Sequence, residues 1–138
     1  MTYNEANYRL ALLADTRALT LPAKALAEIL ILRSIYSRPI EEYRAIHTEI
    51  YKDAPRIEEG AQPGDEQQKV LEACRTAAEA RAAEQCAAPD RRLSPQAWEQ
   101  VVAAALAAET VKSALAPEAD VPATVWLETF AANLAPTE

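Results

Sequence analysis

Only two glycines, Gly60 and Gly64, occur in 138 residues. A loop that cradles phosphate, of the P-loop or dinucleotide-binding kind, needs several glycines in one short stretch, so both are excluded. There is one histidine, His47. The helical zinc motif needs two at i and i+4, and the residues at those offsets from His47 are Tyr43 and Tyr51. With no second histidine and no nearby cysteine, no metal set is expected around it. The two cysteines, Cys74 and Cys86, fall in one predicted helix. At 1.5 Å rise per residue they stand roughly 18 Å apart, beyond disulfide reach. Reduced thiols lead us to expect a cytoplasmic protein. Basic charge is also scarce: 14 Lys and Arg against 21 Asp and Glu give a net charge of −7. A general nucleic-acid binder needs clustered cations, so nucleic acid is not an expected partner. The longest strongly apolar run, Ile29-Leu30-Ile31-Leu32, is far shorter than a membrane span. The first ten residues, MTYNEANYRL, lack the basic and apolar regions of a secretory leader.

What the chain does contain is hydrophobic for half its length and rich in Ala, Leu, Glu and Arg. These are strong helix formers, and β-branched residues are few. The expected fold is therefore all-α, a compact bundle of about six helices. Four helix starts share one device: Thr20-Leu21-Pro22, Ser37-Arg38-Pro39, Ser94-Pro95 and Asp120-Val121-Pro122. Each sets a side-chain acceptor just ahead of a proline, which is tolerated in the first helical turn. Asp65 with Gln68 offers a capping box, and Asn4 before Glu5 a sixth start. The helices so predicted run over 5–19, 22–36, 39–53, 66–88, 95–115 and 122–134, with one further turn at Arg56–Glu59. Composition changes near 59–65: all seven isoleucines and five tyrosines precede it, and all six valines and both tryptophans follow. A single domain over 1–138 is the simpler reading, with helical subdomains 1–58 and 65–138 as the alternative.

Helical phase locates the core. In the last helix Trp126, Phe130 and Leu134 form an i, i+4, i+8 stripe, and before it Trp98, Val101, Val102 and Ala105 lie together, with Glu109 one turn on at the rim. The fourth helix has a thin stripe of Val70, Leu71, Cys74, Ala77 and Ala78. Alanine buries little surface but permits close approach of another backbone. In the second helix, Leu26, Ile29, Leu30, Ile31, Leu32, Ile35 and Tyr36 cover most of the circumference. Such a helix is central, or a partner covers it.

The groups of a type able to carry chemistry reduce to structural roles. Around His47, Glu42 and Glu49 are turned away by helical phase, which leaves Tyr43 and Tyr51 as its neighbours. Cys74 falls on an apolar face; Cys86 falls on a polar one, near a helix C-terminus that disfavours a thiolate. Ser37 and Ser94 read as caps, and Arg91-Arg92 as a loop doublet that serves solubility or a cap contact, or else contacts an acidic partner. No catalytic residue and no cofactor are expected.

Leu21-Pro22-Ala23-Lys24, then Ile29, then Glu42-Tyr43-Arg44 and Tyr51 resemble small helical accessory proteins of phages and prophages, which show an L-P-x-K start to an early helix followed by a charged helical segment. The resemblance is confined to this part of the first half, and it implies service in an assembly. The functional expectation is thus a non-enzymatic interaction or assembly protein, self-associating or bound to a protein partner. Its candidate contact residues are Leu26, Leu30, Ile31, Ile35, Tyr43, His47, Tyr51 and Ala77. The alternatives are a phage or mobile-element accessory protein, and a small nucleic-acid regulator if Arg33, Arg38, Arg44, Lys52 and Arg56 gathered on one side.

Overall fold

A computed structural model describes residues 1–137. Among them the chain forms five α-helices: α1 (Tyr3–Asp15), α2 (Ala23–Tyr51), α3 (Asp65–Ala82), α4 (Pro95–Ala108) and α5 (Ala123–Leu134). A 3-10 turn, Thr16–Ala18, follows α1, and a short antiparallel hairpin, β1 (Thr110–Lys112) with β2 (Asp120–Pro122), separates α4 from α5. The fold is mostly helical, as the composition requires, but it is not a six-helix bundle.

The main departure lies at Ser37-Arg38-Pro39, where two predicted helices are one continuous helix of 29 residues with Pro39 inside it. An interior proline removes one i→i−4 hydrogen bond and costs about 3 kcal/mol. Tyr36 and Ile40, on either side of Pro39, are both buried in the core. Burying two such side chains contributes about 1.5–3 kcal/mol each, enough to offset the proline. Ser37 does not cap; its hydroxyl donates back to the Ser34 carbonyl at 3.0 Å.

The other starts divide. Ser94 caps α4, its Oγ accepting from the Ala97 N–H at 3.2 Å. Thr2, not Asn4, caps α1: its Oγ1 accepts from the Glu5 N–H while Glu5 accepts from the Thr2 N–H, a reciprocal box. At α3 the N-cap is Gly64, and Gln67 rather than Gln68 accepts its N–H at 2.9 Å. Pro22 and Pro122 themselves hold the N-cap positions of α2 and α5, without a side-chain bond. The expected turn at Arg56–Glu59 is not helical; the chain there bends through Gly60, whose φ of +82° suits glycine.

The expected helix over 95–115 stops at Ala108, because Glu109 takes φ 67°, ψ −44°. Its N–H still bonds the Ala105 carbonyl, and its carbonyl accepts from Ala123 N at the start of α5. The chain then runs extended through Thr110 and Val111, β-branched residues that suit a strand. Val111 faces Val121 across the hairpin, and Lys112 faces Asp120.

One core joins these elements. It draws Ala6, Leu12 and Leu13 from α1, and Ile29, Leu32, Tyr36 and Ile40 from α2. Val101 and Ala105 come from α4, Val111 from β1, and Trp126, Phe130 and Leu134 from α5. The α5 stripe is buried as its phase predicts. Phe130 stacks on Trp98 at 5.9 Å and meets Trp126 at 4.8 Å. The α3 helix lies outside this cluster and buries only Ala78 and Ala82. Val70 and Ala77, placed on its apolar face by sequence, are exposed. The inward-facing line is Leu71 and Cys74, both half-buried, then Ala78 and Ala82, both buried.

Two buried polar hubs pin the helices. Arg9 on α1 is buried, and its guanidinium donates to Tyr36 Oη at 2.9 Å, to Asp90 Oδ1 at 2.7 Å and to the Arg91 carbonyl at 3.4 Å. Tyr36 Oη also accepts from Arg91 N and meets the Arg91 and Pro89 carbonyls. Asp15, at the end of α1, accepts from Ser113 Oγ at 2.6 Å, Ala114 N at 3.0 Å and Trp126 Nε1 at 3.2 Å. Two further contacts serve helix ends. Glu28 on α2 accepts from Ser94 N and Ser94 Oγ at the start of α4. Arg92 donates to the Ala132 and Ala135 carbonyls at the end of α5, which makes it a cap contact, one of the roles left open for the doublet.

Two predictions follow from this framework. The Glu109 backbone sits near the strained γ-turn region that glycine occupies at little steric cost, and its side chain is exposed. Glu109→Gly should raise stability by about 1 kcal/mol and the melting temperature by a few degrees, read by thermal denaturation. A lower melting temperature would show that the conformation is not strained. For Asp90, the hydrogen bond from Arg9, with Arg92 alongside, holds the carboxyl below the ordinary carboxylate range. A depressed carboxylate contributes stability above its unfolded pKa of about 4 and loses it as pH falls through the lower folded value. Asp90→Asn should therefore cost about 1 kcal/mol or less at pH 7, since Asp90 is largely solvated and screened. Urea denaturation at pH 7 and at pH 3 should show the gap between the two proteins closing at the acid end.

Candidate functional site

The continuous α2 helix carries most of the candidate contact residues, and the fold sorts them into separate surfaces. On its first half, Ile29 and Leu32 turn into the core. Leu26, Leu30 and Ile31 do not: they are 46%, 52% and 54% exposed. At about 100° per residue these three share one side of the helix with Ala23 and Ala27, which are also exposed. This is a run of large aliphatic side chains separated by alanines, and no element among the described residues covers it. Ile35 belongs elsewhere, half-buried and packed against the core.

The second half of α2 presents the aromatic stripe. Tyr43 is half-buried and donates its hydroxyl to the Ala78 carbonyl of α3 at 3.0 Å. His47 is exposed, stacked on Tyr51 with ring centroids 4.5 Å apart, and 6.0 Å from the Tyr43 ring. Tyr3 of α1 extends the row, 5.7 Å from Tyr43. Neither Glu42 nor Glu49 bonds the imidazole. Glu49 is instead paired with Lys52 at 2.8 Å, which also removes Lys52 from the set of free cations. The stripe borders a cleft of about 490 Å³ between the start of α1 and α2, where Asn4, Asn7, Arg44 and Thr48 join Tyr43 and His47.

Ala77 is not brought to either surface. It lies across from Ile46 and Ile50 in an open apolar groove of about 620 Å³ between α2 and α3, edged by Glu49 and Arg81. The outer aliphatic face and the aromatic stripe are themselves apart, since Ile31 and His47 are separated by about 24 Å of helix axis.

The two cysteines depart from expectation, while Glu109 lies exposed at the rim as expected. Cys86 is not in a helix, because α3 ends at Ala82. It lies in an extended segment whose N–H donates to the Met1 carbonyl at 2.9 Å, and it is half-buried against the core rather than exposed. Cys74 is half-buried, its Sγ 3.5 Å from the Ile50 carbonyl. Glu109 is exposed at its helix end. Sequence reasoning did not find the cleft residues Tyr3, Asn4, Asn7 and Thr48. They come from two helices whose docking is set by Arg9, and no local pattern marks them. No family model, curated protein or solved structure matches the chain.

Proposed function

We propose that this protein is a non-enzymatic interaction component that docks another protein chain along the outer face of α2. The observation that carries the reading is the exposed trio Leu26, Leu30 and Ile31. Each is a large aliphatic side chain, and together they occupy one helical face. Burying each in an interface would contribute about 1.5–3 kcal/mol less the cost of ordering, which makes the face a natural site of association. Ala23 and Ala27 beside them let a partner helix approach closely. The occupant that suits this geometry is an amphipathic helix, presented by a partner or by a second copy of the chain. The resemblance of the L-P-x-K start and its following segment to accessory proteins of phages and prophages supports an assembly role of this kind. We infer a single domain acting in the cytoplasm.

The test is a double variant, Leu30→Glu with Ile31→Glu. Both residues point to solvent, so the melting temperature should stay close to wild type. Sedimentation across a wide range of protein concentrations should show wild type forming a larger species, or a stoichiometric complex with a partner purified from its native source, and the variant forming neither. A wild type that remains monomeric throughout, with no partner whose binding the substitutions disrupt, overturns the reading.

A further inference from the structure

We propose that the cleft between the first turns of α1 and the second half of α2 binds a small aromatic carboxylate. It is distinct from the outer face of α2 and goes beyond the interaction role, so neither reading depends on the other.

Charge comes first. The chain is acidic overall, with a net charge of −7, yet no carboxylate lines this cleft. Arg44 does line it, and among the described residues its guanidinium has no ion-pair partner. The nearest acid in sequence on α1, Glu5, is occupied with the Thr2 N–H at 3.0 Å. An anion entering here meets the Arg44 guanidinium, while Glu5, the acid of that turn, stays outside the lining and bonded to Thr2.

Shape and hydrogen bonding narrow the class. The rings of Tyr3, Tyr43 and His47 follow one another along the cleft, centroids 5.7 and 6.0 Å apart and tilted by 37° and 60°, so a flat ligand ring can stack on one of them and meet its neighbour edge-on. Asn4 and Asn7 sit at i and i+3 on α1, and among the described residues neither carboxamide is bonded to another group of the protein. They offer donors to a carboxylate or acceptors to a ring hydroxyl. A volume of about 490 Å³ falls within the range of small-molecule sites. A bare inorganic anion would leave the ring wall unused, and a neutral arene would leave Arg44 unused.

Titration of the isotopically labelled full chain with benzoate, followed by two-dimensional amide and aromatic NMR, tests this, with benzyl alcohol and acetate as controls. Benzoate should give saturable shifts centred on Asn7, Tyr43, Arg44 and His47. Benzyl alcohol, which lacks the charge, and acetate, which lacks the ring, should each bind at least about tenfold more weakly. Arg44→Gln, at an exposed position that keeps the fold, should weaken benzoate by about tenfold with an unchanged melting temperature. Asn7→Leu gives a second variant on the opposite wall and should also weaken it. The proposal is overturned if benzoate produces no saturable shifts in the cleft, if benzyl alcohol or acetate matches it, or if Arg44→Gln binds benzoate as wild type does.

Discussion

Arg9 brings a permanent positive charge into the interior, and a buried charge is tolerated only when it is matched and hydrogen-bonded. Here the matching groups come from far along the chain. Tyr36 supplies a hydroxyl and a ring face 5.5 Å from the guanidinium carbon, Asp90 a carboxylate, and Arg91 a carbonyl. Satisfying this one side chain therefore sets α1 against α2 and returns the segment after α3 to a fixed place beside them. Asp90 remains mostly solvated while Arg9 is not. The pair thus lies at the rim of the interior, where the carboxylate keeps most of its hydration and the desolvation cost falls on one partner. The orientation of α1 set in this way also places Tyr3, Asn4 and Asn7 along α2.

Asp15 plays the matching part at the other end of α1. A carboxylate at a helix C-terminus opposes the helix dipole. Three donors outweigh that: a hydroxyl and a backbone N–H from the loop after β1, and the Trp126 indole of α5. The consequence is structural specificity. The hairpin is only two short strands, too small to be stable by itself. It is held because Ser113 and Ala114 are tied to Asp15, and because the Glu109 carbonyl accepts from the first residue of α5. Charged groups of α1, rather than apolar surface alone, fix where the second half of the chain sits.

The helical class, the core stripe of α5 and the Ser94 cap were legible in the sequence because each depends on neighbours within about one or two turns. Pro39 was misread for the opposite reason. A proline after a serine satisfies the local grammar of a helix start, and only the burial of Tyr36 and Ile40 against other elements decides that the helix continues through it. The end of α4 was hidden similarly, since a run of alanines gives no stop signal and the turn at Glu109 is held by a bond from Ala123. At the candidate site the outcome is mixed. The grouping of Tyr43, His47 and Tyr51 followed from helical phase, as did the displacement of both glutamates. That Leu26, Leu30 and Ile31 face outward while Ile29 and Leu32 face inward did not follow, because an all-round apolar helix leaves its rotation undetermined until the neighbours are in place. The same holds for α3, whose expected stripe took in both Ala77 and Ala78: Ala78 is buried and Ala77 is exposed.

The continuity of α2 has a functional consequence that two separate helices would not have. A hinge at Ser37–Pro39 would let the aliphatic face and the aromatic stripe move independently. In the observed helix both ride on one rod, and Tyr36, Pro39 and Ile40 are buried between them. Tyr36 is also the acceptor for Arg9. Anything that docks on the outer face of the first half therefore loads a helix anchored at its middle, and any ligand beside Tyr43 and Arg44 touches the same helix beyond that anchor. Coupling between the two surfaces would have to run along α2, past a middle that is held by the Arg9–Tyr36 hub and has little freedom to rotate. The physical expectation is two surfaces that act independently on a rigid support, each binding without altering the other.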